Sequence, residues 1–294
     1  PTPTPTPEPE PDSPVNQPAS GPPATAFLPS PLASPSDGRV AGVWLPAQAY
    51  GDYRRAAEAW GLPVQVYPGG RPDAMAARLI WACEPSSPLG QALTADVTGM
   101  IRCRGKADIV VLDRAYEPLR LSGTSALSAD ELRYLWQLIT PNKALGLTGI
   151  RAAYLIAPDS CFADRRARPL MQALHALAPS WPIGAHGVAL LAAWADENTQ
   201  HWLQDAKEQL RVWKTRQVDG LRERGWTVLP GEANYVCARP PADSSNSVGL
   251  LQRLRRAGIK LRDAQSFGLD GWVRLGVRPP GDQQALWQAL DLHG

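Results

Sequence analysis

Histidine and cysteine are scarce in this chain, with four of each among 294 residues. Cys83, Cys103, Cys161 and Cys237 show neither a CxxC pair nor the close, even spacing of a disulfide framework, a usage that predicts reduced thiols and a cytoplasmic protein. His175, His186, His201 and His293 make no metal-ligand spacing, so no metal site is expected. No apolar run approaches the roughly eighteen residues of a membrane span, and none is expected. The start, PTPTPTPEPEP, lacks the basic onset and apolar core of a secretion signal, so export is not expected. An excess of one charge sign is also missing. The 30 basic and 28 acidic residues leave a net charge of +2, which gives no global electrostatic case for nucleic acid or an anionic membrane. Small-molecule chemistry is what remains.

Proline is abundant but unevenly placed: residues 1–37 hold thirteen of the thirty, with little that could enter a core. That segment reads as an extended, disordered tail acting as a semi-rigid linker. The remainder, in a chain that is 44% hydrophobic, can bury a sizeable core. From Val40 short β-branched runs alternate with amphipathic helical stretches, the rhythm of an α/β domain with a parallel sheet. Strands are expected at VAGVWL (40–45), VQVY (64–67), LIWAC (79–83), ADIVVLD (107–113) and AAYLIA (152–157). One long helix is expected over about 188–224, followed by TVLP, ANYVCAR, a helix near 248–257, strands IKLRD and WVRLGV, and a last helix over 282–290. The expected division is a tail (1–37), a partial cofactor-binding large domain (38–190), and a connecting helix with a small C-terminal α/β domain (191–294). No internal repeat is visible.

Four residues stand in a suggestive order. Asp113 ends the continuous apolar run IVVL, where α/β proteins place ligand groups, and Tyr116 follows three residues later. Lys143 comes after the apolar run LRYLWQLI, with glycines at 146 and 149, and Arg151 follows it by eight residues. Singly, each has an ordinary explanation as a solvated lysine, a helix cap or a surface ion pair. Together they meet the needs of pyridoxal phosphate. Lys143 supplies the amine that forms an imine, Asp113 a carboxylate for the ring nitrogen, Tyr116 a group for the phenolic oxygen, and Arg151 a planar fork for the phosphate. Thr140 and Asn142 would add neutral hydrogen bonds.

Six stretches carry a wider likeness: VWLPAQAYGDYRRAAEAWG, CEPSSPLG, LDRAY, TPNKALGLTGIR, EANYVCAR and KLRDAQSFGLDGWVRLGV. Through them the chain, over roughly Val40 to Leu290, resembles the fold-type I pyridoxal-phosphate-dependent aminotransferases (class I/II), in particular the group of histidinol-phosphate aminotransferase and threonine-phosphate decarboxylase. The resemblance implies an α/β fold with a mostly parallel large-domain sheet and a smaller C-terminal domain. It makes Lys143 the Schiff-base lysine, with Asp113 and Tyr116 the D-x-x-Y pair. Tyr50 corresponds to the aromatic of a P-x-Y element. Ser87 takes the place of the NPNNPTG asparagine that bonds the phenolic oxygen. Asn234 would lie near the substrate, Arg274 would grip its α-carboxylate, and Arg262 would recognise a phosphate or second carboxylate. The arm, substrate loop and glycine-serine phosphate turn that precede this region in the family have no counterpart in the proline-rich tail, so an N-terminally truncated form is expected, its phosphate carried by Arg151, Thr140 and Asn142.

The activities implied are amino transfer between an amino acid and a 2-oxo acid, decarboxylation of threonine phosphate in cobalamin side-chain synthesis, or a retained fold without catalysis. A homodimer acting on a small amino acid or phosphorylated amino acid is the expected assembly.

Overall fold

The computed structural model describes residues 40–67, 78–163, 168–241 and 247–293, so the proline-rich segment 1–37 lies outside the described residues. The first sheet is built from β1 (Gly42–Pro46), β2 (Val64–Tyr67), β3 (Arg78–Cys83), β4 (Ile109–Asp113), β5 (Trp136–Ile139) and β6 (Tyr154–Ile156). Their order is β2-β1-β3-β4-β5-β6, parallel from β2 to β5, with β6 antiparallel to β5. The helices of this part are α1 (Gly51–Ala59), α2 (Ala95–Arg102), α3 (Ala129–Leu132), α4 (Ser160–Ala163), α5 (Arg168–Leu177) and α6 (Ala185–Trp194).

Strand β4 explains the sheet's interior. Its run Ile109-Val110-Val111-Leu112 has β3 on one side and β5 on the other. Val110 and Leu112 pack on one face with Ile80, Ala82, Ile101 and Leu135, while Val111 packs on the other with Trp136 and Cys161. A strand covered on both faces reads as continuous apolar sequence rather than alternation, which is why IVVL was legible as a central strand. In α1 the small residue Ala57 and the ring of Tyr53, four apart, are the buried pair turned to the sheet, beside Val43 and Leu45 of β1.

The second sheet comprises β7 (Thr227–Val228), β8 (Tyr235–Arg239), β9 (Arg262–Asp263) and β10 (Val273–Gly276), ordered β7-β8-β10-β9 and antiparallel throughout. It is preceded by α7 (Glu197–Glu223) and completed by α8 (Ser247–Arg256) and α9 (Pro280–His293). Leu221 of α7, Leu250 and Leu254 of α8, and Leu286 and Leu290 of α9 close over Val236, Ala238, Val273 and Leu275. Alternation along β8 and β10 then sends Tyr235 and Arg274 to the opposite face. Leu254 is fully buried in this cluster, and Leu254→Ala is expected to cost about 2–5 kcal/mol, read as a lower urea midpoint with an unchanged slope.

Two expectations need correction. The helix expected over 188–224 is two helices, because Asp196 accepts the backbone N–H groups of Asn198 and Thr199 and so starts α7 afresh. Within the apolar run LRYLWQLI, Leu132 ends α3 and Trp136–Ile139 forms β5, after which Lys143 follows in a loop. Of IKLRD only Arg262 and Asp263 pair with β10. The C-terminal sheet, being antiparallel with its helices on one face, is α+β in construction rather than the βα alternation of the first sheet. Among the described residues no helix is long and apolar enough to cross a membrane, and no group of three or more His, Cys, Asp or Glu could hold a metal.

Candidate active site

The carboxyl ends of the parallel strands gather the groups singled out from sequence. Tyr50 lies between β1 and α1, the loop 84–90 leaves β3, Asp113 ends β4, and the loop carrying Lys143 leaves β5. Open α/β sheets present this edge to ligands because successive loops diverge there. Asp113 is held from two sides. The hydroxyl of Tyr53 donates to Oδ2 at 2.5 Å and the backbone N–H of Ala115 donates to Oδ1 at 2.8 Å. Each carboxylate oxygen has a second lone pair, so acceptor capacity remains for an N–H of a bound ring.

Lys143 is half-buried, its Nζ 5.3 Å from the centre of the Tyr116 ring, with no hydrogen-bond or ion-pair partner among the described residues. Burial pulls its pKa below the ordinary lysine value; Asp113 opposes that shift, while Arg151 and Arg274 add to it. A larger fraction of neutral amine at neutral pH is what a lysine nucleophile requires. The loop that holds it is braced from within. Thr140 Oγ1 lies 2.7 Å from the carbonyl of Ala152 and 2.9 Å from Asn142 Oδ1, and Asn142 Nδ2 donates to the carbonyl of Ile150 at 3.2 Å. Thr140 and Asn142 thus bond within their own loop, whose carbonyls need donors.

Tyr116 links the two sheets. Its hydroxyl accepts from Arg274 Nη2 at 3.3 Å, and its ring meets Tyr235 of β8 edge-on at 4.8 Å. Arg274 Nη1 donates to Ser87 Oγ at 2.9 Å, and the guanidinium lies 4.6 Å from the Tyr235 ring. Tyr235 in turn donates to the carbonyl of Ser86 at 2.6 Å. One contiguous group thus contains Lys143, Tyr116, Arg274, Ser87 and Tyr235, with Asp113 within electrostatic reach of Lys143.

The remaining expected residues stand at the margins. Tyr50 and Arg151 are exposed, and Arg151 acts on Tyr50, Asp52 and Lys143 through its charge. Arg262 pairs in register with Arg274, its guanidinium 5.2 Å from the Phe267 ring. A cavity of about 560 Å³ beside β9 and β10 is lined by Arg262, Arg274, Lys260 and Arg278; Lys143 and Asp113 lie outside it. Asn234 Oδ1 is buried with no hydrogen-bond partner in the described structure. The segment carrying Asn234 is clasped by Lys214, whose Nζ donates to the carbonyls of Gly231 at 2.5 Å and Ala233 at 2.7 Å. Burial brings the Lys214 pKa down to about 8.

Two features escaped sequence reading. Tyr53 sits three residues after Tyr50 on α1, where a buried helix-face aromatic is the ordinary interpretation. Arg120, buried, joins Glu117, Glu84 and Glu232, partners that no local spacing reveals.

The residues present suit pyridoxal phosphate: an unpartnered half-buried amine, a clamped carboxylate with spare acceptors, and an orphaned buried amide oxygen at Asn234. Known proteins point the same way. Histidinol-phosphate aminotransferase 2 of Archaeoglobus fulgidus is 27% identical over 216 residues, 72% of this chain and 57% of that protein. The protein of the same name from Ralstonia nicotianae is 28% identical over 265 residues, 85% of this chain and 68% of that one. The chain thus spans little more than half the length of the Archaeoglobus protein. The solved histidinol-phosphate aminotransferase from Clostridium acetobutylicum superposes with a TM-score of 0.70 at 16% identity, covering 86% of this chain and 78% of that one. L-threonine-O-3-phosphate decarboxylase from Porphyromonas gingivalis gives 0.65 at 20% identity, covering 86% and 76%. These two likenesses show the shared fold. The sequence model described as aminotransferase class I and II matches residues 37–291, and the chain belongs to that family, whose cofactor is pyridoxal phosphate.

Proposed function

We propose that this chain is an enzyme acting at the α-carbon of an amino acid or phosphorylated amino acid, by amino transfer, with Lys143 as the residue that attaches the cofactor. The observation that carries this reading is the placement of the Lys143 amine, without a hydrogen-bond or ion-pair partner among the described residues, against the ring of Tyr116, whose hydroxyl accepts from Arg274. When bound, pyridoxal phosphate supplies the electron-withdrawing ring that allows a bond at the substrate α-carbon to break.

The chain's own residues divide the remaining work. Lys143 Nζ, once free, takes and returns the proton at the α-carbon. Asp113 keeps a proton at the ring nitrogen. Tyr116 and Ser87 would hold the phenolic oxygen, and Tyr50 would help hold the cofactor. Arg151 takes the phosphate end. Arg274 presents a planar fork for the substrate carboxylate, with Asn234 near it. Arg262, with Lys260 beside it in the cationic cavity, receives a second anionic group of the substrate. Assembly as a cytoplasmic homodimer belongs to the same proposal.

Incubating the protein and pyridoxal phosphate with histidinol phosphate, threonine phosphate or an aromatic amino acid tests the reading. Amino transfer gives a 2-oxo product, which from histidinol phosphate is a ketone that keeps the phosphate, together with the aminated cofactor. Release of carbon dioxide from threonine phosphate, without the aminated cofactor, would replace transfer by decarboxylation. Cofactor binding with no change in any of these compounds would leave a retained fold without this catalysis.

A further inference from the structure

Tyr53 is a buried phenol with one charged partner. Only 7% of its surface is exposed, and its ring stacks on Trp81 with centres 4.8 Å apart and planes 15° from parallel. The hydroxyl reaches across from α1 to Asp113 Oδ2 at the end of β4. Since Ala115 N–H occupies Oδ1, the two donors fix both oxygens and so the plane of the carboxylate. The groups around this pair are few. The buried Cys83 thiol, pushed up to about 12 chiefly by burial, stays neutral, Lys143 acts on Asp113 through its charge, and Tyr235 lies within electrostatic range. Burial, with Cys83 and Asp113 adding to it, raises the Tyr53 phenol far above its ordinary range, so the hydroxyl is a donor at every working pH.

We propose that Tyr53 is a positioning residue whose hydroxyl sets both the orientation and the basicity of Asp113. The inference rests on Asp113 as the partner of the cofactor's ring nitrogen. A neutral donor bonded to a carboxylate stabilises its ionised form and makes it a weaker base. With Tyr53 in place, a proton shared between Asp113 and the ring nitrogen stays on the nitrogen, where it draws electrons from the ring. Without the hydroxyl, Asp113 becomes the stronger base, the proton moves towards it, and the ring withdraws less. A group attached to the ring, including the nitrogen supplied by Lys143, then becomes more basic.

Tyr53→Phe isolates the hydroxyl, because it keeps the ring and its stack on Trp81. In the full chain with pyridoxal phosphate, two quantities are read: the cofactor dissociation constant and the pH midpoint of the bound cofactor's absorption change. The dissociation constant should rise roughly tenfold, the size of one charge-assisted hydrogen bond. The midpoint should move upward by about half a unit or more. Trp81→Phe, which alters the stack but not the hydroxyl, should leave the midpoint in place. An unchanged midpoint in Tyr53→Phe, or an equal shift in Trp81→Phe, overturns the proposal by reducing Tyr53 to packing. If Tyr53→Phe does not fold, 3-fluorotyrosine placed at position 53 keeps the shape with a stronger donor. The midpoint should then fall, and a static one overturns the proposal. Failure of the unaltered chain to bind the cofactor at all would instead overturn the functional reading on which this one depends.

Discussion

Arg120→Met is expected to destabilise the protein by about 3–5 kcal/mol, the cost of removing one partner from a buried ionic cluster. Arg120 is 6% exposed, and its guanidinium is shared among three carboxylates. It meets Glu117 at 2.8 Å, pairs with Glu232, and lies 3.5 Å from Glu84, which is 1% exposed. Glu84 keeps neutral donors, with Ser125 Oγ and the Ala126 N–H both at 2.8 Å, but no cation once Arg120 is gone. The cluster also joins the two sheets. Glu232 lies between β7 and β8, Glu84 follows β3, and the Leu121 N–H donates to the Glu232 carbonyl at 2.7 Å. Loss of Arg120 should therefore loosen the approach of Arg274 to Ser87 as well as lower the melting temperature. Adding Glu84→Gln to Arg120→Met should recover part of the lost stability, because it removes the stranded charge. A double variant no more stable than Arg120→Met would show that Glu84 is not the source of the cost.

Lys143→Ala is expected to retain the fold and lose the chemistry. Alanine at this half-buried loop position removes an amine that has no hydrogen-bond or ion-pair partner among the described residues and only the contact with the Tyr116 ring, so the melting temperature should change little. Without the amine, covalent attachment disappears, and loss of its proton transfer alone costs roughly 10²–10⁴-fold in rate. The depressed pKa adds a pH signature. Because burial favours the neutral amine, attachment in the unaltered chain should persist to lower pH than for a solvated lysine. Turnover by Lys143→Ala within tenfold of the unaltered chain would contradict the assignment.

How much of this was written locally in the sequence can be judged residue by residue. The parallel strands were legible because buried central strands form short, unbroken apolar runs, and Asp113 was legible because it closes one. Lys143 and Tyr116 were legible as members of an ordered set of chemical types and Arg274 only through the family resemblance, and the fold gathers all three around the Tyr116 ring. Tyr53 was hidden because its partner lies 60 residues away and a helix-face tyrosine ordinarily signals packing. The Arg120 cluster was hidden for the same reason, drawing Glu84 and Glu232 from loops far apart in the chain. The break before α7 rests on a single cap at Asp196, which weighs little against a long apolar periodicity. The bonds of Thr140 and Asn142 to carbonyls of their own loop were hidden as well, since only three-dimensional placement brings those carbonyls to them.

Borohydride reduction of the protein with bound pyridoxal phosphate, followed by peptide mapping, tests the central claim most directly. Lys214 is the informative competitor, since burial lowers its pKa to about 8 but two carbonyls hold its amine. The reduced cofactor should be found on Lys143, in the stretch TPNKALGLTGIR. Label on Lys214 or another lysine, or no label at all, would contradict it.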